Sequence, residues 1–170
     1  MTGKPFLISH DRELSHAHKI RIAYAAWARG DATPLLSMIA DDCEFTIMGN
    51  LAVNPNAGTR IGPLGFQQSI IQFQEMFEVK DIEFERIIGE GDALCVLWST
   101  VLVVRATGRI IECERCDFIE FAEGKVKRAR CFYDSATMAL TTGFACVAPR
   151  GNVAPPAEVP EGPTAQAQSS

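Results

Sequence analysis

Two ionisable residues of opposite sign stand one residue apart in the run from Arg109 to Phe121, where Arg115-Cys116-Asp117 interrupts an otherwise strand-like pattern. On an extended strand, alternate residues point to the same face. If Asp117 faces an interior, Cys113, Arg115, Ile119 and Phe121 go inward with it. Glu112, Glu114, Cys116, Phe118 and Glu120 then face solvent, as a mostly acidic face should. Burying a charge costs several kcal/mol unless it is paired, and perturbed ionisable groups concentrate at functional sites. The chemistry expected of such a pair is acid–base, with Asp117 as acid or base and Arg115 orienting it. The structural alternative is an ion pair that only orders the sheet, or a pairing of these residues with Arg130 or a neighbouring subunit.

Further polar groups can assist. Asp134 stands before Ser135-Ala136-Thr137, where a carboxylate caps a helix first and does acid–base work only if the cap lies at a pocket rim. Tyr24 and Tyr133 offer hydroxyls on aromatic bodies. The six cysteines are expected to be buried thiols rather than disulfides. Cys113 and Cys116 have the spacing of a metal or redox pair, but mid-strand positions three apart point to opposite faces. All three histidines, His10, His16 and His18, precede or open the first helix, so neither a metal site nor a cofactor is expected.

The elements that must position these groups are legible from periodicity. From Glu13 to Arg29 the residues Ile20, Tyr24, Trp27 and Ala28 recur at helical spacing, and Gly30-Asp31 supplies a stop. Thr33 and Pro34 open a short second helix that buries Leu35, Leu36 and Ile39. Cys43–Met48 reads as a strand. The stretch from Gly49 to Pro63 is rich in Gly, Pro and Asn and reads as one long loop, a kind of segment that is often functional. Leu64–Phe77 carries Phe66, Ile70, Phe73 and Phe77 on one helical stripe.

Four strand patterns follow, Ile82–Ile88, Ala93–Arg105, Arg109–Phe121 and Val126–Tyr133, separated by three glycine-containing turns. They predict an antiparallel meander whose length requires it to coil or bulge around the helices. Trp98 reads as sheet packing, and with Val101, Val103 and Phe118 it suggests an apolar outer face that a second copy of the chain covers. A short final helix begins at Ser135. The chain thus divides into an N-terminal arm (1–12), one α+β domain (13–147) and a Pro/Ala-rich tail (148–170).

The length of 170 residues fits one core. A net charge of −5 with scattered basic residues argues against nucleic acid. No apolar run approaches the roughly 20 residues of a membrane helix. The start of the chain lacks the pattern of a secretory signal, so a cytoplasmic protein is expected.

The ordered series of Trp27-x-x-Gly30-Asp31, Asp41-Asp42, strand, Gly-rich loop, helix and meander ending in Gly124-Lys125-Val126 and Tyr133-Asp134 resembles the SnoaL-like and ketosteroid-isomerase-like proteins of the nuclear transport factor two-like superfamily. The resemblance spans about residues 13 to 143. It implies a cone-shaped, curved sheet wrapped around the N-terminal helices, with an apolar pocket at the open end. Position by position, the isomerase's strand aspartic acid falls on Asp117. Its general-base position falls on Ile47, and its tyrosine on Ala23, next to Tyr24. Limonene epoxide hydrolases are similar too: their Arg and Asp fall on Trp98 and Thr100, their Tyr and Asn on Phe45 and Ile47, and their second Asp on Asp134.

Taken together, the residues and the resemblance predict a small-molecule protein for an apolar, cyclic or chain-like metabolite. Asp117, Arg115 and Asp134 are the candidate catalytic groups. Tyr24, Tyr133, Trp27, Phe45, Ile47, Phe73, Cys113 and Ile119 are the candidate lining. The reaction class is cofactor-independent isomerisation, hydrolysis or dehydration. The alternative is a non-catalytic ligand-binding or dimerisation module of the same fold, with its interior filled by Phe73, Phe77 and Trp98. In either case a homodimer through sheet faces is expected.

Overall fold

The computed structural model describes residues 10–144, with side chains from residue 16 onward. The expected tail and the arm as far as residue 9 lie outside the described residues. The first helix, α1 (His10–Ala28), starts within the stretch expected to be arm and ends at Gly30, whose φ of +92° suits a helix stop. Asp31 then accepts a hydrogen bond from the Thr33 backbone and turns the chain into α2 (Thr33–Met38). The cap expected of Thr33 is not formed: the N-cap position is Ala32, with no side-chain bond, and Pro34 occupies the first turn.

Strand β1 (Ile39–Ile47) follows directly and is four residues longer at its start than its composition suggested. The segment expected to be one loop holds a short strand, β2 (Gly58–Ile61), which pairs antiparallel with β1. Helix α3 (Gly62–Met76) begins where that loop was expected to end. Gly62 is required there: its φ is +68°, and a Cβ would lie 2.4 Å from the Asp41 carbonyl oxygen. The predicted stripe is realised, with Phe66, Ile70 and Phe73 buried.

The meander is β3 (Phe77–Glu90), β4 (Ala93–Val104), β5 (Ile110–Ala122) and β6 (Lys125–Tyr133), all antiparallel neighbours. Parallel pairing of β1 with β6 completes a six-stranded sheet in the order β2-β1-β6-β5-β4-β3. Register shifts at Val79/Asp81, Phe84/Arg86 and Glu120/Phe121 bend these long strands. The result is an α+β fold in which a curved, unclosed sheet wraps the N-terminal helices.

Along β4 the buried positions are Leu94, Val96, Trp98, Thr100, Leu102 and Val104. Trp98 therefore faces the interior, which corrects its assignment to the outer face: strict alternation sets it against Val101 and Val103, not beside them. On β5 the alternation is as predicted, with Cys113, Arg115, Asp117, Ile119 and Phe121 inside. Helix α4 (Ser135–Thr142) closes the described chain, capped by Asp134 and ended by Gly143. Among the described residues, no helix is long and apolar enough to cross a membrane.

Candidate functional site

The site is assembled from one helix and two neighbouring strands. Spacing of three on α1 puts Tyr24 and Trp27 on one side of the helix. Pairing of β4 with β5 sets Trp98 opposite Arg115 and Val96 opposite Asp117, so Trp98 is the diagonal neighbour of Asp117. Cys131 on β6 lies opposite Asp117 on its other side.

Asp117 is 2% exposed. The Tyr24 hydroxyl and the Trp98 indole N–H both donate to its Oδ2, each at 2.7 Å. Tyr24 also meets Trp98 edge-on, with ring centroids 5.3 Å apart, so the two donors hold each other in place. The second oxygen, Oδ1, is buried without a hydrogen-bond partner among the described residues. An acceptor left bare in this way costs about 1–3 kcal/mol.

Two ionisable neighbours of the carboxyl, Tyr24 and Cys131, are held neutral. Burial first, and then the charge of Asp117, push the Tyr24 hydroxyl well above the usual phenol range. The Cys131 thiol is likewise raised by burial, then by the charge of Asp117, and further by its side-chain contact with that carboxyl. Both act as proton-bearing neighbours rather than as bases.

Arg115 faces the same interior but does not make the ion pair expected of it. The ion pairs among the described residues are at the surface and involve Lys80, Lys127 and Arg128. Arg130 is exposed on the other face of its strand. The Arg115 guanidinium carbon instead lies 5.0 Å from the Trp98 ring centre, 5.6 Å from that of Tyr133 and 5.8 Å from that of Phe73. The reason is geometric: the indole opposite Arg115 takes the Asp117 oxygen for itself and offers its π face to the cation. The Arg115 Nε is buried without a partner.

Asp117 and Arg115 line a cavity of about 90 Å³. Six of the expected lining residues are there: Tyr24, Trp27, Phe45, Ile47, Phe73 and Ile119. Cys113 is not among them, because it packs in a second core cluster with Leu102, Ile111 and Met138. Tyr133 lines a smaller adjoining hollow of about 20 Å³, where its hydroxyl accepts a hydrogen bond from Asn54. Gly49 permits that arrangement, since a Cβ there would lie 2.9 Å from the Tyr133 hydroxyl. Asp134 is exposed and outside the cavity: Oδ1 accepts from the backbones of Ala136 and Thr137, Oδ2 accepts from the Thr137 hydroxyl, and these bonds lower its pKa.

Sequence reasoning missed Trp98, Cys131, Asn56 and Ser69 as part of this site. Trp98 was findable, since the parity of β4 follows from Leu94, Val96 and Leu102. Asn56 and Ser69 were not, because they meet through a reciprocal pair of hydrogen bonds, Ser69 Oγ to Asn56 Oδ1 and Asn56 Nδ2 to the Ser69 carbonyl. Arg60 bonds the Asn56 carbonyl and Gln72, so the segment before β2 is tied to α3. Among the described residues, no group of three or more His, Cys, Asp or Glu could hold a metal ion. Cys113 and Cys116 point to opposite faces, and Cys116 instead meets Cys95, with sulfurs 3.3 Å apart.

Residues 20–129 match the family model described as a SnoaL-like domain. No curated protein sequence matches the chain. Among solved structures, an NTF2-like protein from Burkholderia xenovorans LB400 is 25% identical, with a TM-score of 0.64 over 79% of this chain and 98% of that one. A protein with the ketosteroid isomerase-like fold from Catenulispora acidiphila, in complex with trimethylamine, is 13% identical, with a TM-score of 0.61 over 73% and 92%. TerC co-crystallised with polyporic acid is 16% identical, with a TM-score of 0.68 over 75% and 97%.

Proposed function

Since the chain belongs to the SnoaL-like domain family, we propose that it binds a small, mostly apolar metabolite and catalyses a cofactor-independent proton transfer with Asp117 as the base. The reaction class is isomerisation, or water addition or loss, at a carbon next to an activating group. The observation that carries this reading is the split environment of one carboxyl group. Oδ2 is anchored by Tyr24 and Trp98, Oδ1 makes no hydrogen bond among the described residues, and the residue lines an apolar cavity. A carboxylate held rigidly by one oxygen and desolvated at the other is oriented to take a proton from a ligand.

The cavity also favours an enzyme over a module whose interior is filled. Phe73, Phe77 and Trp98 are all buried, yet space remains between Phe73 and Asp117. Arg115 and Trp27 complete the polar part of the wall. No role is assigned to Asp134, whose carboxylate is occupied by the cap.

The test is isotope exchange. Small ketones, alcohols and epoxides incubated with the protein in D₂O enriched in H₂¹⁸O should gain deuterium or ¹⁸O for at least one class. Asp117→Asn should lower that rate at least 100-fold while the variant stays folded. A rate unchanged by Asp117→Asn would contradict the assignment.

A further inference from the structure

Among the described residues, Cys43, Cys113 and Cys131 are buried, and the cysteines that keep partial access to solvent, Cys95 and Cys116, are the two that meet. Their sulfurs lie 3.3 Å apart, in hydrogen-bond contact. Neither side chain belongs to the cavity, because alternation along β4 and β5 puts both on the outer face of the sheet.

The contact is built by the register of these two strands. Cys95 stands opposite Phe118 and Leu97 opposite Cys116, so the two cysteines are diagonal neighbours. Side chains that lean toward each other can meet across such a diagonal. Between them, on the inner face, Val96 stands opposite Asp117. The sulfur contact therefore crosses the sheet directly behind the candidate base.

The surroundings favour oxidation of the pair over metal binding. No group of three or more His, Cys, Asp or Glu among the described residues could hold a metal ion, and two thiols fall short of the four donors of a structural site. The Cys116 thiol is pushed up to about 11, by burial first and then by its hydrogen bond to Cys95 and the charge of that neighbour. Cys116 thus keeps its proton and donates it to Cys95, which leaves Cys95 as the attacking sulfur.

We propose that Cys95 and Cys116 are a modification site, a dithiol that a small disulfide of the glutathione class oxidises to an intrachain bond stapling β4 to β5 behind Asp117. The couple is independent of the reaction assigned to Asp117. In the first step the Cys95 thiolate attacks one sulfur of the oxidant, the oxidant's S–S bond breaks, and one glutathione leaves and takes up the proton that Cys95 gave. In the second, Cys116 loses its proton and attacks the Cys95 sulfur, the mixed disulfide breaks, and the second glutathione leaves with that proton. The protein gives up two protons and two electrons, and the oxidant gains them as two thiols. Closure needs the sulfurs to move from 3.3 Å to about 2.05 Å, between strands that are already paired.

Phe118 and Phe132 stand opposite Cys95 and Cys116, so a second copy seated on this face would shield the thiols. The test therefore uses the reduced full chain over a series of dilutions, together with Phe118→Glu, whose added charge opposes self-association. Each is incubated with oxidised glutathione, weighed intact by mass spectrometry and then digested. The protein should lose the mass of two hydrogens and retain no glutathione, its digest should link Cys95 to Cys116, and dithiothreitol should reverse both changes. Cys116→Ser should instead hold one glutathione on Cys95. Oxidised wild type should also unfold at a higher urea concentration than reduced wild type, because the bond restrains the unfolded chain.

Thiols left unmodified at every dilution and in Phe118→Glu, a glutathione retained on wild-type Cys95 or Cys116, or a link between other cysteines would overturn the proposal. So would a lower urea midpoint on oxidation, since closure would then distort the paired strands. The wild-type results need no variant, so a misfolded mutant leaves them intact.

Discussion

Tyr24 shows how one residue ties stability to function in this protein. Its hydroxyl serves Asp117, its ring packs on Trp98 at 5.3 Å and on Phe84 at 5.9 Å, and it is only 9% exposed. Burial and the neighbouring carboxylate raise its pKa, and burial and Asp117 do the same for Cys131. Both groups keep their protons when folded but release them once unfolded, near pH 10 for a phenol and about 8.5 for a thiol. Between those values and the raised ones the unfolded state binds fewer protons, so stability falls as pH rises. Urea unfolding should therefore show a steady loss of stability from about pH 9 upward. Tyr24→Phe should flatten the part of that slope above about pH 10 while lowering stability at pH 7 by about 1–2 kcal/mol through the lost bond to a charged acceptor. A slope above pH 10 that is the same in wild type and Tyr24→Phe would contradict this placement of the hydroxyl.

At the scale of elements, what was legible followed from local rules. The helices and meander strands were set by periodicity and glycine turns, and the inward face of β5 by alternation around Asp117. The missed features depend on contacts far apart in sequence. β2 is four residues long and hidden among turn formers, and it exists because β1 offers it an edge. The parallel join of β1 to β6 brings residues more than 80 positions apart together. The Arg115–Asp117 pairing expected on β5 was not formed because a third residue, Trp98 on β4, intervenes, and the spacing on one strand does not reveal what the next strand presents. The same physics explains why the Tyr24 hydroxyl could be named as a candidate while its partner could not.

For the whole molecule, the curved sheet leaves an outer face that the helices do not cover. Phe118 and Phe132 are 41% and 42% exposed there, and the half-buried Leu97 lies across Cys116 from Phe132. Exposed aromatic surface is a common mark of an interaction site, and we propose that a second copy of the chain covers it. Sedimentation should give twice the 18.6 kDa chain mass, and Phe118→Glu should shift the protein to monomer; a monomeric wild type would remove the proposal. The cavity lies on the opposite face of the sheet, so dimerisation and ligand binding are separable, and the variant should keep its fold.

The central claim is that the fold reserves the space beside Asp117 Oδ1 for a ligand. The direct measurement is a high-resolution crystal structure of protein purified without added ligand and then soaked with a small neutral ketone. The account predicts density for a compact organic molecule in the cavity lined by Phe73 and Asp117. A cavity closed by its own side chains, or Oδ1 bonded to a protein donor with no room beside it, would contradict the account.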